Sequence, residues 1–240
     1  MFEAYRKRVN FEEVFAATLS NLYTELKLAW VRSCVAIGPA GGQNEIQFVK
    51  RCAANISKFL AVEPDHDAVE HLRASLRVTL PGVESQVFET RIESWEGLSD
   101  PVDLVLMFHV LYFVRADERQ ELFKKIHDHW LTSAGYVAVV SPSRTKSPGN
   151  THTIFERLDK PSPPWEDVES DLQKAGFTKV YAYEMHLQRD FSNLDDYVLD
   201  FYRKNGGLAV TPDYVRDVIQ ELFPQGHATE FNMIAIFKRQ

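Results

Sequence analysis

The chain has 240 residues, 45% of them apolar and 25% charged, with a formal net charge of -7. That length supports one sizeable core, and the composition is that of a globular domain. The acidic balance without a Lys/Arg run excludes a nucleic-acid surface. No apolar run is long enough to span a bilayer, so the expectation is a cytoplasmic monomer without membrane partners.

The opening stretch, "MFEAYRKRVNFEEVF", is amphipathic and carries acids, unlike a signal or transit peptide. Val9, Val14, Phe15, Leu19, Leu22 and Leu26 fall roughly on one helical face, which predicts a helix to about Lys27 and a helical lid over 1–28. Val31 to Ile37 reads as an apolar strand. Ile46, Val49, Cys52, Ala53 and Ile56 then recur at helical spacing. The two cysteines, Cys34 and Cys52, are expected as reduced, packed thiols. "FLAVEP" is a short strand broken by Pro64, and Asp65 caps the helix "DHDAVEHLRASLRV". "VESQVFET" and "VDLVLMF" are strands, "ADERQELFKKIHDHWL" a helix, and "GYVAVVSPS" a further strand.

Strand and helix alternate to about Ser143, which implies a doubly wound, mostly parallel sheet with ligands beyond the carboxyl ends of its strands. Beyond it, "SRTKSPGNTHTIFERLDKPSPP" is a long polar connection, followed by a helix over Trp165 to Ala175. "FTKVYAYEMHL" and "EFNMIAIFK" read as strands separated by helices at Leu194 to Lys204 and Pro212 to Leu222. Paired at the sheet edge, these late strands complete a seven-stranded sheet with an antiparallel end. No repeat or linker divides the chain, so 1–240 is read as one domain, with 144–225 as substrate-side insertions.

The motif that turns this fold toward a function is "VAIGPAGGQNEI". A dinucleotide fingerprint needs glycines at the first, third and sixth positions after the strand, and here those are Gly38, Ala40 and Gln43. A phosphate-cradling loop would end in Gly-Lys-Ser/Thr, which is absent. The first, third and fifth positions, Gly38, Ala40 and Gly42, resemble the looser loop of class I S-adenosylmethionine-dependent methyltransferases. A tight strand-to-helix turn without a ligand also fits these glycines. Glu63 ends the next strand, where a carboxylate can accept both hydroxyls of an adenosine ribose or simply cap the following helix. After the buried strand "DLVLMF", Phe108 and Leu111 fit core positions equally well, whereas His109 and Tyr112 stand at the strand's carboxyl end, on the ligand side.

These segments together resemble the histamine N-methyltransferase family of small-molecule methyltransferases. The likeness covers most of the chain and rests on "FEAYRKRVN", "IGPAGGQNE", "VEP", "DLVLMFHVLYFV", "VLDF" and "FNMIAI". It implies a class I, Rossmann-like methyltransferase fold with S-adenosylmethionine as cofactor. Gly38, Gly42 and Glu63 would hold its methionine and ribose ends, with Ala40 and Pro64 beside them, and Thr90 or Arg91 and Phe108 would lie near the adenine. Tyr112 and Phe113 correspond to the family's paired aromatics beside the amine. The family's acceptor-anchoring carboxylate falls on Val14, its amide on His109, and its late asparagine on Met233, one residue after Asn232.

The implied function is methyl transfer to a small amine or N-heterocycle other than histamine. An O-methyltransferase for a phenol or carboxylate, or a nicotinamide-dependent oxidoreductase, is the alternative. His109 and Tyr112 are the catalytic candidates, since an amine must lose a proton and histidine titrates near neutrality. Tyr5, Phe15, His109, Tyr112, Phe113 and Phe201 are the expected acceptor contacts, with Phe11 and Trp165 as further aromatic wall. No metal site is expected: His127 and His129 are two apart on the helix and cannot face one ion.

Overall fold

The computed structural model describes residues 9–143, 151–159, 165–206 and 210–240. Its elements in order are α1 (Phe11–Glu25), β1 (Ser33–Ile37), α2 (Gln43–Cys52), β2 (Lys58–Glu63), α3 (His66–Thr79), β3 (Glu84–Glu89), β4 (Val102–Phe108), α4 (Ala116–Lys125) and β5 (Leu131–Pro142). There follow α5 (His152–Arg157), α6 (Trp165–Lys174), β6 (Phe177–Asp190), α7 (Asp196–Gly206), α8 (Pro212–Leu222) and β7 (His227–Arg239).

The strands form a 7-stranded sheet in the order β3-β2-β1-β4-β5-β7-β6. β1 pairs in parallel with both β2 and β4, β2 with β3, and β4 with β5. β7 runs the other way. The Ser143 N–H after β5 donates to the Phe231 carbonyl early in β7, while Arg239 at the end of β7 reaches the Leu131 carbonyl at the start of β5. Cys34–Ile37 and Leu104–Phe108 are buried throughout, as parallel strands covered on both faces must be. Strand order reverses between β1 and β4, and folds of this kind bind ligands beyond the carboxyl ends at such a switch.

Some boundaries differ from the sequence expectation, each for a visible reason. β1 starts at Ser33 rather than Val31, because Asp103 Oδ2 accepts the Arg32 and Ser33 N–H groups at 2.9 and 3.2 Å and ties off the chain there. The expected helix through Leu131 ends in a π-helical turn, Ile126–Trp130, that seats Trp130 edge-on against Trp95 with ring centroids 4.9 Å apart. β5 therefore begins at Leu131, before Gly135. α7 starts at Asp196 because Asp195 Oδ1 accepts the Val198 N–H (3.0 Å), capping the helix two residues past Leu194.

The chain forms two compact units. The larger comprises Ala17–Ser141, Glu166–Tyr183 and Ile234–Gln240, and the smaller Met1–Ala16, Pro142–Trp165 and Glu184–Met233. In the larger unit, α1 and α2 pack together: the Cys52 thiol lies against the Leu19 carbonyl, and Arg51 stacks over Tyr23. Cys34 and Cys52 are buried and unlinked; burial raises both thiol pKa values, that of Cys52 to about 12, so both stay protonated. In the smaller unit, Phe191, Tyr202, Val215, Ile219 and Phe223 belong to one buried apolar cluster. Among the described residues no helix is long and apolar enough to cross a membrane.

One ion pair is sealed within the larger unit. Arg119 of α4 donates through Nε (2.9 Å) and Nη2 to Asp171 Oδ2 of α6, and Gln120 Nε2 donates to Asp171 Oδ1 (3.0 Å). The two charged side chains are 3% and 5% exposed, so losing one partner strands the other charge away from water. Asp171→Ala is expected to lower the unfolding free energy by about 3–5 kcal/mol in urea denaturation, whereas Arg119→Met with Asp171→Leu should restore near-wild-type stability. A loss below about 1 kcal/mol for the single variant would show that the pair does not hold α4 to α6.

Candidate functional site

Between Ile37 and Gln43 the backbone alternates in hand. Gly38, Ala40 and Gly42 all lie in the left-handed region, at φ 59°, 48° and 74°. Each of their N–H groups is tied at 2.8 Å: Gly38 to the Val62 carbonyl, Ala40 to Glu63 Oε2, and Gly42 to the Pro39 carbonyl. At positions 38 and 42 glycine is needed for hand and for space. A Cβ would fall 2.5 Å from Val110 Cγ2 at Gly38 and 2.2 Å from Leu72 Cδ1 at Gly42. Gly41 is also confined, with His71 Cδ2 2.8 Å from a built Cβ. Gly42 thus lies in close approach to Leu72 of α3.

Ala40 is the costly residue here, because an L-residue in this region costs about 1–2 kcal/mol. Its compensation is visible. Glu63, 6% exposed, accepts the Ala40 N–H on one oxygen and the Asp65 N–H on the other (3.0 Å). Bonds to a charged acceptor contribute about 1.5–3 kcal/mol each, enough to offset the strained alanine. Asp65, not Glu63, caps α3, its Oδ1 accepting the Ala68 N–H at 2.8 Å. Glu63 is therefore free of the capping role, and both its oxygens face backbone amides.

The other expected cofactor contacts are distributed around this pair. Pro64 is exposed in the turn between β2 and α3. The Thr90 N–H donates to the Glu63 carbonyl (3.2 Å), which sets Thr90 beside the acid just after β3. Arg91 is exposed, its guanidinium 3.4 Å from Glu93. Phe108 is buried at the end of β4, its ring edge-on to Phe48 of α2 at 5.5 Å. His66, at the start of α3, lies 3.0 Å from Glu89, and that hydrogen bond raises the imidazole pKa.

At the carboxyl end of β4 the chain turns sharply. His109 takes φ 55° while its N–H bonds the Val140 carbonyl of β5 (2.8 Å). A non-glycine residue in this region is uncommon, and such strain gathers at functional sites. The short turn Leu111–Phe113 follows. It buries Leu111, leaves Tyr112 half-buried against Phe113 with ring centroids 4.5 Å apart, and leaves Phe113 61% exposed. Val110, between His109 and this turn, is the residue that packs on Gly38. The structure thus brings the glycine loop, Glu63 and the His109 turn together in the larger unit. The contacts of Leu72 and Val110 with the loop had no signature in the sequence, since both residues read as ordinary apolar positions.

The remaining candidates belong to the smaller unit or fall outside the description. Phe15 is fully buried and stacked on Phe11 (5.1 Å, 23°). Val14 is half-buried beside the exposed Glu12 and Glu13. Asn232 is buried, its Nδ2 donating to Glu230 Oε1 at 2.9 Å, and Met233 is half-buried. Tyr5 lies outside the described residues, and Phe201 is placed only as a position in α7.

No family model and no curated protein matches the chain. Solved structures do. A candidate methyltransferase from Bacillus halodurans matches with a TM-score of 0.66 at 11% identity, over 93% of this chain and 98% of that one. The N-methyltransferase NodS of Bradyrhizobium japonicum, in complex with S-adenosylhomocysteine, gives 0.58 at 14% identity, over 96% of this chain and 88% of that one. The StiE O-methyltransferase region gives 0.58 at 15% identity, over 95% of this chain and 74% of that one. The chain has the class I methyltransferase fold.

Two glycines separate backbone hand from packing. Gly82 has φ 86° with no atom within 4 Å of a built Cβ, whereas Gly42 meets Leu72. Gly82→Ala should cost about 1 kcal/mol of stability, for hand alone. Gly42→Ala should cost about 2–4 kcal/mol, because overpacking adds to it. Equal losses in urea denaturation would show that the loop does not press on α3.

Proposed function

We propose that this chain is an S-adenosylmethionine-dependent methyltransferase acting on a small molecule, with a nitrogen of an amine or N-heterocycle as acceptor. The observation that carries this reading is the tight, left-handed loop 38–42 set against the Glu63 carboxylate, without the Gly-Lys-Ser/Thr ending of a phosphate loop. The residues fit the cofactor. Gly38, Ala40 and Gly42 present little side chain, suiting close backbone approach, and each Glu63 carboxylate oxygen retains a lone pair for a ribose hydroxyl. Thr90, Pro64 and Phe108 flank that position and are assigned to the ribose and adenine side. A small neutral loop also suits a sulfonium ligand better than a pyrophosphate.

The cofactor, when bound, supplies a methyl group already activated on a sulfonium sulfur, so the protein's share is positioning, exclusion of water and handling of one proton. An amine attacks as the free base, so a protonated acceptor must first give up its proton, and a neutral one releases a proton after its nitrogen takes the methyl group. His109, held at the end of β4 by its strained backbone and its bond to β5, is assigned as the base, directly or through water. The Tyr112 and Phe113 rings are assigned to the acceptor cation, where a desolvated ring contact is worth about 0.5–2 kcal/mol. Acceptance at oxygen is the second reading. It draws on the StiE neighbour, whose likeness to this chain equals that of the N-methyltransferase NodS at a TM-score of 0.58.

Calorimetry on the wild-type chain should show binding of S-adenosylhomocysteine and none of NAD; the reverse would replace the reading with an oxidoreductase. With labelled cofactor saturating and a panel of small amines, phenols and carboxylates, label should enter amines. His109→Ala should then lower kcat by about 10²–10⁴-fold, the range for a lost general base, with the S-adenosylhomocysteine dissociation constant unchanged. Label only in phenols or carboxylates would move the acceptor to oxygen, and an unchanged kcat would place the base elsewhere.

A further inference from the structure

We infer that Glu63 is a positioning residue that fixes the glycine loop before any ligand arrives, acting through the Ala40 N–H. The inference takes the ligand's identity from the reading above, but its content is a property of the ligand-free chain. Two of the three left-handed residues are tied to β2. Gly38 donates to the Val62 carbonyl and Ala40 to the Glu63 carboxylate, each at 2.8 Å. β2 is itself fixed on both sides, with Val62 opposite Ile37 of β1 and Glu63 opposite Glu89 of β3. The carboxylate therefore projects from a rigid strand end onto the middle of the loop. Its other oxygen is anchored by the Asp65 N–H (3.0 Å), which sets the direction in which the first oxygen points.

Only a carboxylate of this length serves both amides. Glutamine has a single acceptor oxygen, and its other terminal atom is a donor that would face an N–H head-on. Aspartate is one methylene shorter and cannot span from β2 to Ala40 while holding Asp65. Alanine at position 40 sharpens the requirement, because its φ of 48° must be enforced from outside, whereas glycine would adopt it freely. The loop is in this way preset, and the ribose meets oxygens whose orientation two backbone amides already define.

The test is amide hydrogen exchange, resolved to single residues, on the full chain without ligand. Glu63→Gln and Glu63→Asp are each expected to speed exchange at Ala40 by about tenfold or more, with protection in β1 and β4 unchanged. Ala40→Gly, which keeps the N–H and the carboxylate, should leave exchange at position 40 near the wild-type rate after correction for sequence. Thermal melts confirm folding, and if Glu63→Gln loses its cooperative melt, Glu63→Asp carries the test at the same threshold. Unchanged exchange at Ala40, or faster exchange at Asp65 alone, overturns the inference. Calorimetry with S-adenosylhomocysteine separates the claims. A wild-type chain that fails to bind it contradicts the cofactor reading and leaves the latch standing. Binding by the wild type with unchanged Ala40 exchange in both Glu63 variants overturns the latch alone.

Discussion

The bond from the Ala40 N–H to the Glu63 carboxylate ties the glycine loop to the acid at the end of β2. It joins the loop after β1, on one side of the point where strand order reverses, to the end of the neighbouring strand β2. An alanine in the left-handed region costs about 1–2 kcal/mol, and a hydrogen bond to a charged acceptor returns about 1.5–3 kcal/mol. The bond to the acid thus offsets the strain that the alanine brings to the loop. Val110 then closes the arrangement from the β4 side by packing on Gly38. His109 precedes Val110 in the same turn, so the glycine loop and the candidate base are set side by side.

That arrangement also limits what the site can hold. A loop with left-handed residues at its first, third and fifth positions turns tightly onto α2, and its glycines are spent on Val110, His71 and Leu72. Such a loop offers backbone surface, with neither the lysine nor the hydroxyl that phosphate chemistry requires. The acid beside it suits hydroxyl donors. Both features agree with an adenosine-bearing ligand whose charge lies on sulfur rather than on phosphate. The sheet beyond β5 differs in kind, because β7 enters against the direction of β5.

Much of this was legible in the sequence because it rests on local signals. The alternation of apolar strands with amphipathic helices gave the sheet, and Asp65 after Pro64 marked the start of α3, where its carboxylate caps the helix. The glycine spacing and the acid at the end of β2 marked two positions that the fold sets in contact, Ala40 and Glu63. What was not legible depends on contacts far apart in the chain. Nothing local announces that Asp103 ties off the amides before β1, or that Leu72 crowds position 42. The strained hand of His109 is equally silent, since it follows from the bond to Val140 on the next strand. Glu63 was read as a ribose contact or a cap, and its bond to the loop emerged only once β1 and β2 lay side by side.

The central claim is that one carboxylate holds the loop and receives the ribose together. A crystal structure of the full chain with S-adenosylhomocysteine tests it most directly. The account predicts both ribose hydroxyls within hydrogen-bond distance of the Glu63 oxygens while the Ala40 N–H still donates to Oε2 and Ala40 stays left-handed. A ribose bound away from Glu63, or a loop that has released Glu63 to admit the ligand, would contradict it.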